Sequence, residues 1–296
     1  MRPCGRSGAL AASARIANLP SVATNVLAGS ALALQIEAPT IPAAPIAAAI
    51  SSGVFLCLAG NLLNDWADRK WDAVYRPERA LPRGLFPPGF YLVFVAFCFI
   101  SAFLTPAVLA PRILPITAAI SGCILLYTWL HKRHPISIIP MALCRALLPI
   151  SGALAVSDPT ADWISFALPL FVYIAGLSLY ARGESKSTGF GKRWLIAVFI
   201  APILSCGAMS GWYWGLALPP MLLLWRDLFP LISHSSVSAA VSRMLAAIPL
   251  LDYCVLFPIA FAWLTYDPNG FWWLCIIAPP LVSVLAHNLQ KLAPAT

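Results

Sequence analysis

The sequence predicts an all-α fold, a polytopic transmembrane helix bundle of nine or ten spans, on three observations. The chain is 60% hydrophobic and only 10% charged, where soluble domains carry about 25% charge. Its apolar residues come in continuous runs of roughly 17 to 24, the length that crosses a hydrocarbon core of about 30 Å. Backbone in lipid must close its own hydrogen bonds, as a helix or a closed barrel, and continuous rather than alternating runs select helices.

Ten apolar segments follow one another, at about 18–36, 41–63, 88–109, 113–131, 136–157, 163–182, 194–211, 212–231, 246–265 and 271–288. They form a single membrane-embedded domain over residues 1–296, with no soluble domain, linker or low-complexity tail. The first segment is short and begins near Pro20, and the seventh and eighth nearly fuse through Gly211. Among 27 prolines, Pro140, Pro149, Pro169, Pro202 and Pro219 fall within spans. Such prolines are tolerated as kinks when neighbouring helices or water satisfy the freed carbonyls.

Charges mark the connections. Arg69, Lys70, Arg76, Arg79 and Arg83 follow the second segment, Lys132 and Arg133 the fourth, Arg182, Lys186, Lys192 and Arg193 the sixth, and Arg243 the eighth. The other connections hold Glu37, Asp158, Asp162 and Asp267, with Arg112 the one basic residue. This alternation sets the even connections and both termini on the cytoplasmic side. The net charge of +8 therefore reports orientation, and with no basic stripe on a soluble domain it excludes nucleic acid as a partner. Arg2, Arg6 and Arg15, without an acid among them, read as a short cytoplasmic tail or as a weak transit peptide. The eight cysteines form no CxxC pair and mostly sit in apolar runs, as buried, inert thiols.

One stretch carries chemistry. At the cytoplasmic end of the second segment, Asn64, Asp68 and Asp72 recur every four residues, so a continuing helix puts three oxygen side chains on one face. Asp65 lies seven residues before Asp72 on the same side, and Gly60 leaves room one turn earlier. Like charges on one face need a neutralising cation, and oxygen ligands suit Mg²⁺ rather than zinc. Magnesium binds through one or two carboxylates plus substrate phosphate oxygens. Arg76, Arg79 and Arg83 follow closely enough to clamp a phosphate. The rival reading is a solvated juxtamembrane loop in which these groups merely pair.

The string N64-D65-x-x-D68-x-x-x-D72, then R76-P77-x-R79-x-L81-P82-x-G84, resembles the first signature of the UbiA superfamily of intramembrane prenyltransferases. Tyr127 to Arg133 resembles that family's tyrosine-then-lysine-arginine ending, and Cys144 to Leu148 is a further familiar phrase. The resemblance implies a UbiA-like bundle of about nine helices, expected in a bacterial plasma membrane. It implies a prenyl diphosphate and a lipophilic acceptor as partners within the membrane lipid, and Mg²⁺ as cofactor. It assigns Asp68 and Asp72 to catalysis, and Asn64, Asp68, Asp72 and Glu184 to metal. The family's second aspartate motif is altered here. After Tyr180 and Ala181, Glu184 stands where its first aspartate would fall, and Ser187 and Thr188 where later ones would. Arg182 and Lys186 turn that connection toward anion binding. This departure resembles the variant UbiA-like proteins of ebo gene clusters, and it implies either built-in positive charge in place of a second metal or lost transfer chemistry.

Further candidates complete the reading. Arg76, Arg79, Lys132, Arg133 and Arg182 are expected to bind the diphosphate. Arg145, inside the fifth segment, either reaches the diphosphate, pairs with an aspartate or snorkels to the interface. Tyr127 and Tyr180 either face the substrate, where an aromatic face stabilises a carbocation, or join an interfacial aromatic belt. Arg226 and Asp227 are expected to pair with each other. Asp252, inside the ninth segment, needs an unnamed partner. His131 and His134 are expected at the interface, and the four histidines show no metal-ligand spacing. No nucleotide loop, nucleophile elbow or triad is present. Two function classes remain, a Mg²⁺-dependent intramembrane prenyltransferase and a non-catalytic binder or transporter of an amphipathic lipid or pigment precursor.

Overall fold

The computed structural model describes residues 5–37, 40–158, 163–183, 192–207, 211–231 and 236–292, and the described residues are helices and turns without a strand. A short α1 (Arg6–Ser13) precedes α2 (Pro20–Glu37), α3 (Ala43–Tyr75), α4 (Pro88–Leu109), α5 (Leu114–Leu130) and α6 (Ile138–Leu154). Then come α7 (Trp163–Gly183), α8 (Leu195–Gly207), α9 (Leu218–Leu228), α10 (Val237–Ala246), α11 (Ile248–Leu264) and α12 (Gly270–Leu292). Every expected segment has its helix. Among the described residues, seven helices are long and apolar enough to cross a membrane, and Ala167–Arg182 is apolar but shorter. The seventh and eighth segments, α8 and α9, reach only 13 and 11 residues. The chain is an integral membrane protein.

The first segment, expected to be short, is one of the two most buried: 78% of its apolar window within Ile16–Gln35 is buried and 83% of that within Val237–Leu264, against 22% for Pro88–Leu109. Small residues allow that. A Cβ added at Gly29 would stand 1.7 Å from the Pro149 carbonyl oxygen, and one at Gly152 would stand 2.0 Å from that of Val26. Only glycine lets α2 and α6 approach so closely, the small-residue packing typical of membrane helices. Ser30 Oγ donates to the Gly152 carbonyl (3.0 Å) at the same crossing.

Helix breaks are satisfied from neighbours. Pro106 lacks the N–H that would bond the Ala102 carbonyl one turn back, and Ser52 of α3 donates to that carbonyl instead (2.9 Å). At the α10–α11 junction, Tyr173 Oη donates to the Met244 carbonyl (2.8 Å) and Ser283 Oγ to that of Ala246 (3.0 Å).

Two apolar cores result. One surrounds α2 with α3, α4, α5, α6, the later part of α11 and the start of α12. The other joins α7, α8, α9, α10 and the start of α11. The cavity described next lies where they meet.

Candidate active site

At about 1.5 Å per residue, the 33 residues of α3 extend roughly 50 Å, well beyond the apolar layer. Its last third therefore projects with Asn64, Asp65, Asp68 and Asp72 turned inward, each no more than 8% exposed. Cations from three other places meet this face. In the turn after α3, Arg79 Nη1 lies 2.9 Å from Asp72 Oδ2 and 3.5 Å from Asp65 Oδ1. Gly84 closes that turn at φ +67°, a left-handed conformation natural to glycine. At the end of α5, Lys132 Nζ lies 2.9 Å and His131 Nε2 3.4 Å from the Asp68 carboxylate. Burial pushes the His131 imidazole below its ordinary value. Asp68 opposes that shift, and Lys132, Arg182 and Arg15 reinforce it.

The third source is Arg15, just ahead of α2. Its backbone is left-handed (φ 47°, ψ 49°), a conformation that costs a non-glycine residue about 1–3 kcal/mol and clusters at functional sites. Reciprocal bonds hold it: Arg15 Nη1 donates to Asn61 Oδ1 (2.9 Å), Asn61 Nδ2 donates to the Ala14 carbonyl (2.9 Å), and Arg15 Nη2 reaches Asp65 (3.4 Å).

Behind this face lies a cavity of about 460 Å³ enclosed by α2, α3, α5, α6, α7 and α10. Its polar wall includes Arg15, Asn61, Asn64, Tyr127, His131, Arg145 and Arg182, and its apolar wall includes Val22, Leu56, Ile120, Ile124, Leu148, Ile174 and Leu177. Arg182, at the end of α7, donates to Ser137 Oγ (2.6 Å) and to the His131 carbonyl (3.1 Å), which fixes it across the cavity from α3. Two cavity atoms, Asn64 Oδ1 and Ser178 Oγ, are buried without a hydrogen-bond partner, and so is Asp72 Oδ1, two turns beyond Asn64 on α3 and outside the cavity wall. An unmade bond of this kind costs about 1–3 kcal/mol, which a ligand in the cavity would recover.

Some expected site residues lie elsewhere. Arg76 is exposed. Lys132 and Arg133 line a separate outer groove between α3 and α5 with Asp68 and Trp129. Tyr180 packs in the second core, 3% exposed. Glu184, Lys186, Ser187 and Thr188 lie outside the described residues. Arg226 is not the partner of Asp227, which pairs with Arg243 (3.3 Å) and His287 (3.4 Å) brought to it by α10 and α12. His131 is not an interface residue, since it lines the cavity and touches Asp68.

The UbiA prenyltransferase family profile matches residues 23–248. The chain belongs to the UbiA prenyltransferase family. Among its UbiA relatives, the digeranylgeranylglyceryl phosphate synthase of Haloquadratum walsbyi is 34% identical over 96 residues, 32% of this chain and 33% of that protein. The enzyme of the same name from Halobacterium salinarum is 32% identical over 140 residues, 47% of this chain and 49% of that protein. The chain thus spans between 33% and 49% of the length of these curated relatives. Solved UbiA structures share the fold. One described as digeranylgeranylglyceryl phosphate synthase superposes with a TM-score of 0.53 at 17% identity, over 98% of this chain and 99% of the other. A UbiA homolog from Aeropyrum pernix gives 0.52 at 16% identity, over 92% and 98%.

The donor set bears on the metal. Among the described residues, no three His, Cys, Asp or Glu side chains converge to hold a metal by themselves. The orphaned oxygens of Asn64 and Asp72 are each of the kind a magnesium ion takes beside phosphate and water, but they stand eight residues, about 12 Å, apart along α3, so each fits such an ion separately.

Proposed function

We propose that the protein transfers an isoprenoid group from a prenyl diphosphate to a lipophilic acceptor inside the membrane. The observation that carries this reading is the cavity itself. One end carries Arg15 and Arg182 with Asn64 and His131, and the rest is mainly apolar, with Arg145 apart from that end. A diphosphate with an isoprenoid tail matches that division, and the family membership supports it.

In this reading the diphosphate lies between Asn64 and Arg182, and its tail lies along Leu56, Ile124 and Leu177. Arg15 and Arg182 donate to the oxygens that gain charge as the carbon–oxygen bond breaks and the diphosphate leaves with the electron pair. Tyr127 offers its ring to the allylic cation. The apolar wall excludes water, so the cation is captured by the acceptor, which then releases a proton. Asn64, Asp68 and Asp72 would hold Mg²⁺, with Glu184 as a further ligand from the second motif, and when bound the ion supplies positive charge to the leaving group. Arg79 and Lys132 then hold Asp72 and Asp68 in alignment, and Arg76 and Arg133 add charge at the rim. The relatives' name contains a glyceryl phosphate, which supports a phosphate-bearing acceptor. The charge alternation supports a cytoplasmic opening, and the membrane proposed is a bacterial plasma membrane.

A second reading has its own observation. The carboxylates are already paired, Asp72 with Arg79 and Asp68 with Lys132 (both 2.9 Å), so the site is electrostatically complete for a binder that transfers nothing. The test is incubation of purified protein with radiolabelled geranyl diphosphate and a membrane lipid extract, with and without Mg²⁺. Transfer of label to the lipid fraction only with Mg²⁺ upholds the enzyme. Saturable binding with no transfer selects the binder, and no binding overturns both.

A further inference from the structure

Arg145 stands in the cavity wall near the middle of α6. Its Nη1 donates to Ser21 Oγ (2.9 Å) and Asn25 Oδ1 (3.1 Å), and its Nη2 to the Asn18 carbonyl (3.3 Å). All three partners are neutral, and among the described residues no carboxylate pairs with it. The nearest acid in the network, Asp252 of α11, lies one residue behind. Asn25 Nδ2 donates to both its oxygens (3.0 and 2.8 Å), and Thr24 Oγ1 lies 2.5 Å from Oδ2.

This arrangement is directional. A side-chain amide has a donor end and an acceptor end. Asp252 accepts from the Nδ2 end of Asn25, so the Oδ1 end must face Arg145. Asn25 is 0% and Asp252 4% exposed, so water does not compete for either orientation. The guanidinium is held by three of its five N–H donors, and the other two have no partner among the described residues. A guanidinium stays charged, and a charge within a span is expensive unless it serves a cavity or a partner. The carboxylate behind, the place in the cavity wall and the two donors without a partner among the described residues make Arg145 a cation prepared for an anion that arrives in the cavity.

We propose that Arg145, positioned by Asp252 through Asn25, binds the anionic head group of the lipophilic acceptor, at a point separate from the Asn64–Arg182 end that takes the diphosphate. This rests on the transferase reading above and adds to it the residues that would hold the acceptor's phosphate or carboxylate. Arg145 touches the ligand, and Asp252 is a positioning residue.

The test uses full-length protein in neutral-lipid nanodiscs, saturated with geranyl diphosphate and Mg²⁺, and titrated with dodecyl phosphate, dodecanoate, dodecanol and dodecyltrimethylammonium. The wild type is expected to bind the two anions at least about tenfold more tightly than the alcohol, the size of one charged hydrogen bond, and the cation worst. Arg145→Gln should remove the preference while leaving dodecanol binding unchanged, and Arg145→Lys should retain most of it. Asp252→Asn turns a donor toward Asn25 and should reduce the preference about threefold or more without abolishing geranyl diphosphate binding. Should Arg145→Gln not fold, the wild-type series decides alone, and equal binding of anion and alcohol overturns the proposal. Competition between dodecyl phosphate and geranyl diphosphate overturns it as well, because Arg145 would then belong to the diphosphate end. A protein that binds no geranyl diphosphate defeats the transferase reading. An anion preference lost in Arg145→Gln would still uphold the Arg145 site in that case.

Discussion

Two polar clusters reach the same cavity, one through Asn64 and the other through Arg145, and they are built differently. The aspartate face of α3 comes from a few turns of one helix, and its cations, Arg79 and Lys132, sit at the rim with side chains 23% and 34% exposed. The Arg145 cluster joins side chains from α2, α6 and α11, and Ser21, Thr24, Asn25 and Asp252 in it are buried. Exposed ion pairs contribute little to stability, about 0–1 kcal/mol, whereas a buried polar group costs heavily when a partner is removed. The comparison teaches that the first cluster is arranged for exchange of its partners and the second for permanence. The first can trade a lysine or arginine for a metal and a phosphate. The second holds one guanidinium in one orientation.

The largest expected effect lies where the second cluster is assembled. Gly29→Ala puts a methyl group against the Pro149 backbone at 1.7 Å, and neither helix can yield locally. The α2–α6 crossing should open at a cost of roughly 3 kcal/mol, read as loss of folded protein in thermal denaturation. A thermal midpoint equal to wild type would show that this crossing is not what holds Arg145.

Next, Asp252→Ala and Asp72→Ala should separate in opposite directions. Asp252→Ala leaves Asn25 and Thr24 without their acceptor and should cost about 2 kcal/mol of stability. Asp72→Ala also removes an orphaned oxygen and leaves Arg79, itself part-exposed, with Asp65 at 3.5 Å, so it should cost less stability than Asp252→Ala, while Mg²⁺-dependent binding of geranyl diphosphate falls at least about tenfold. Asp158→Ala, an exposed residue paired with Arg112 at 3.6 Å, serves as the control and should change neither. Identical profiles for the Asp252 and Asp72 variants would erase the distinction between the clusters.

How much of this was legible follows the same line. The aspartate face was readable because residues four and seven apart share one side of a helix, so Asn64, Asp68 and Asp72 needed only the continuation of α3 to meet. Its cations from the following turn were readable too, since Arg79 lies seven residues beyond Asp72. Arg15 was not. It stands 50 residues before Asp65, in a left-handed turn that periodicity does not reveal. Asp252 announced a need for a partner, but Thr24 and Asn25 lie more than 220 residues earlier, and only the packing of α11 on α2 supplies them. The helices were legible as ten apolar runs, whereas the burial of α2 depends on how closely its glycine meets another backbone. Tyr180 misled because a tyrosine near a span end reads alike whether it faces a cavity or a core.

The Asp227 cluster sharpens the point at a smaller scale. Burial raises this carboxyl, but the His287 and Arg243 contacts outweigh burial and hold it below its ordinary value. A group so depressed contributes stability above its unfolded value, and that contribution is lost as pH falls through the lower folded value. Acid unfolding should therefore begin at higher pH in Arg243→Ala than in wild type, while Arg226→Ala, the neighbour in sequence, should leave the acid limb unchanged. Equal shifts in both variants would mean that sequence adjacency, not packing, sets this group.

The central claim is that the cavity takes a prenyl diphosphate at its cationic end with help from Mg²⁺. Its most direct test is a titration of geranyl diphosphate binding in purified wild type and Arg182→Ala across a range of Mg²⁺. In wild type, affinity should rise with a single-site dependence on Mg²⁺. Loss of Arg182 should weaken binding by about 1.5–3 kcal/mol, the usual value of a charged hydrogen bond. Binding indifferent to Mg²⁺, a cooperative two-metal dependence in wild type, or normal affinity in Arg182→Ala would contradict the account.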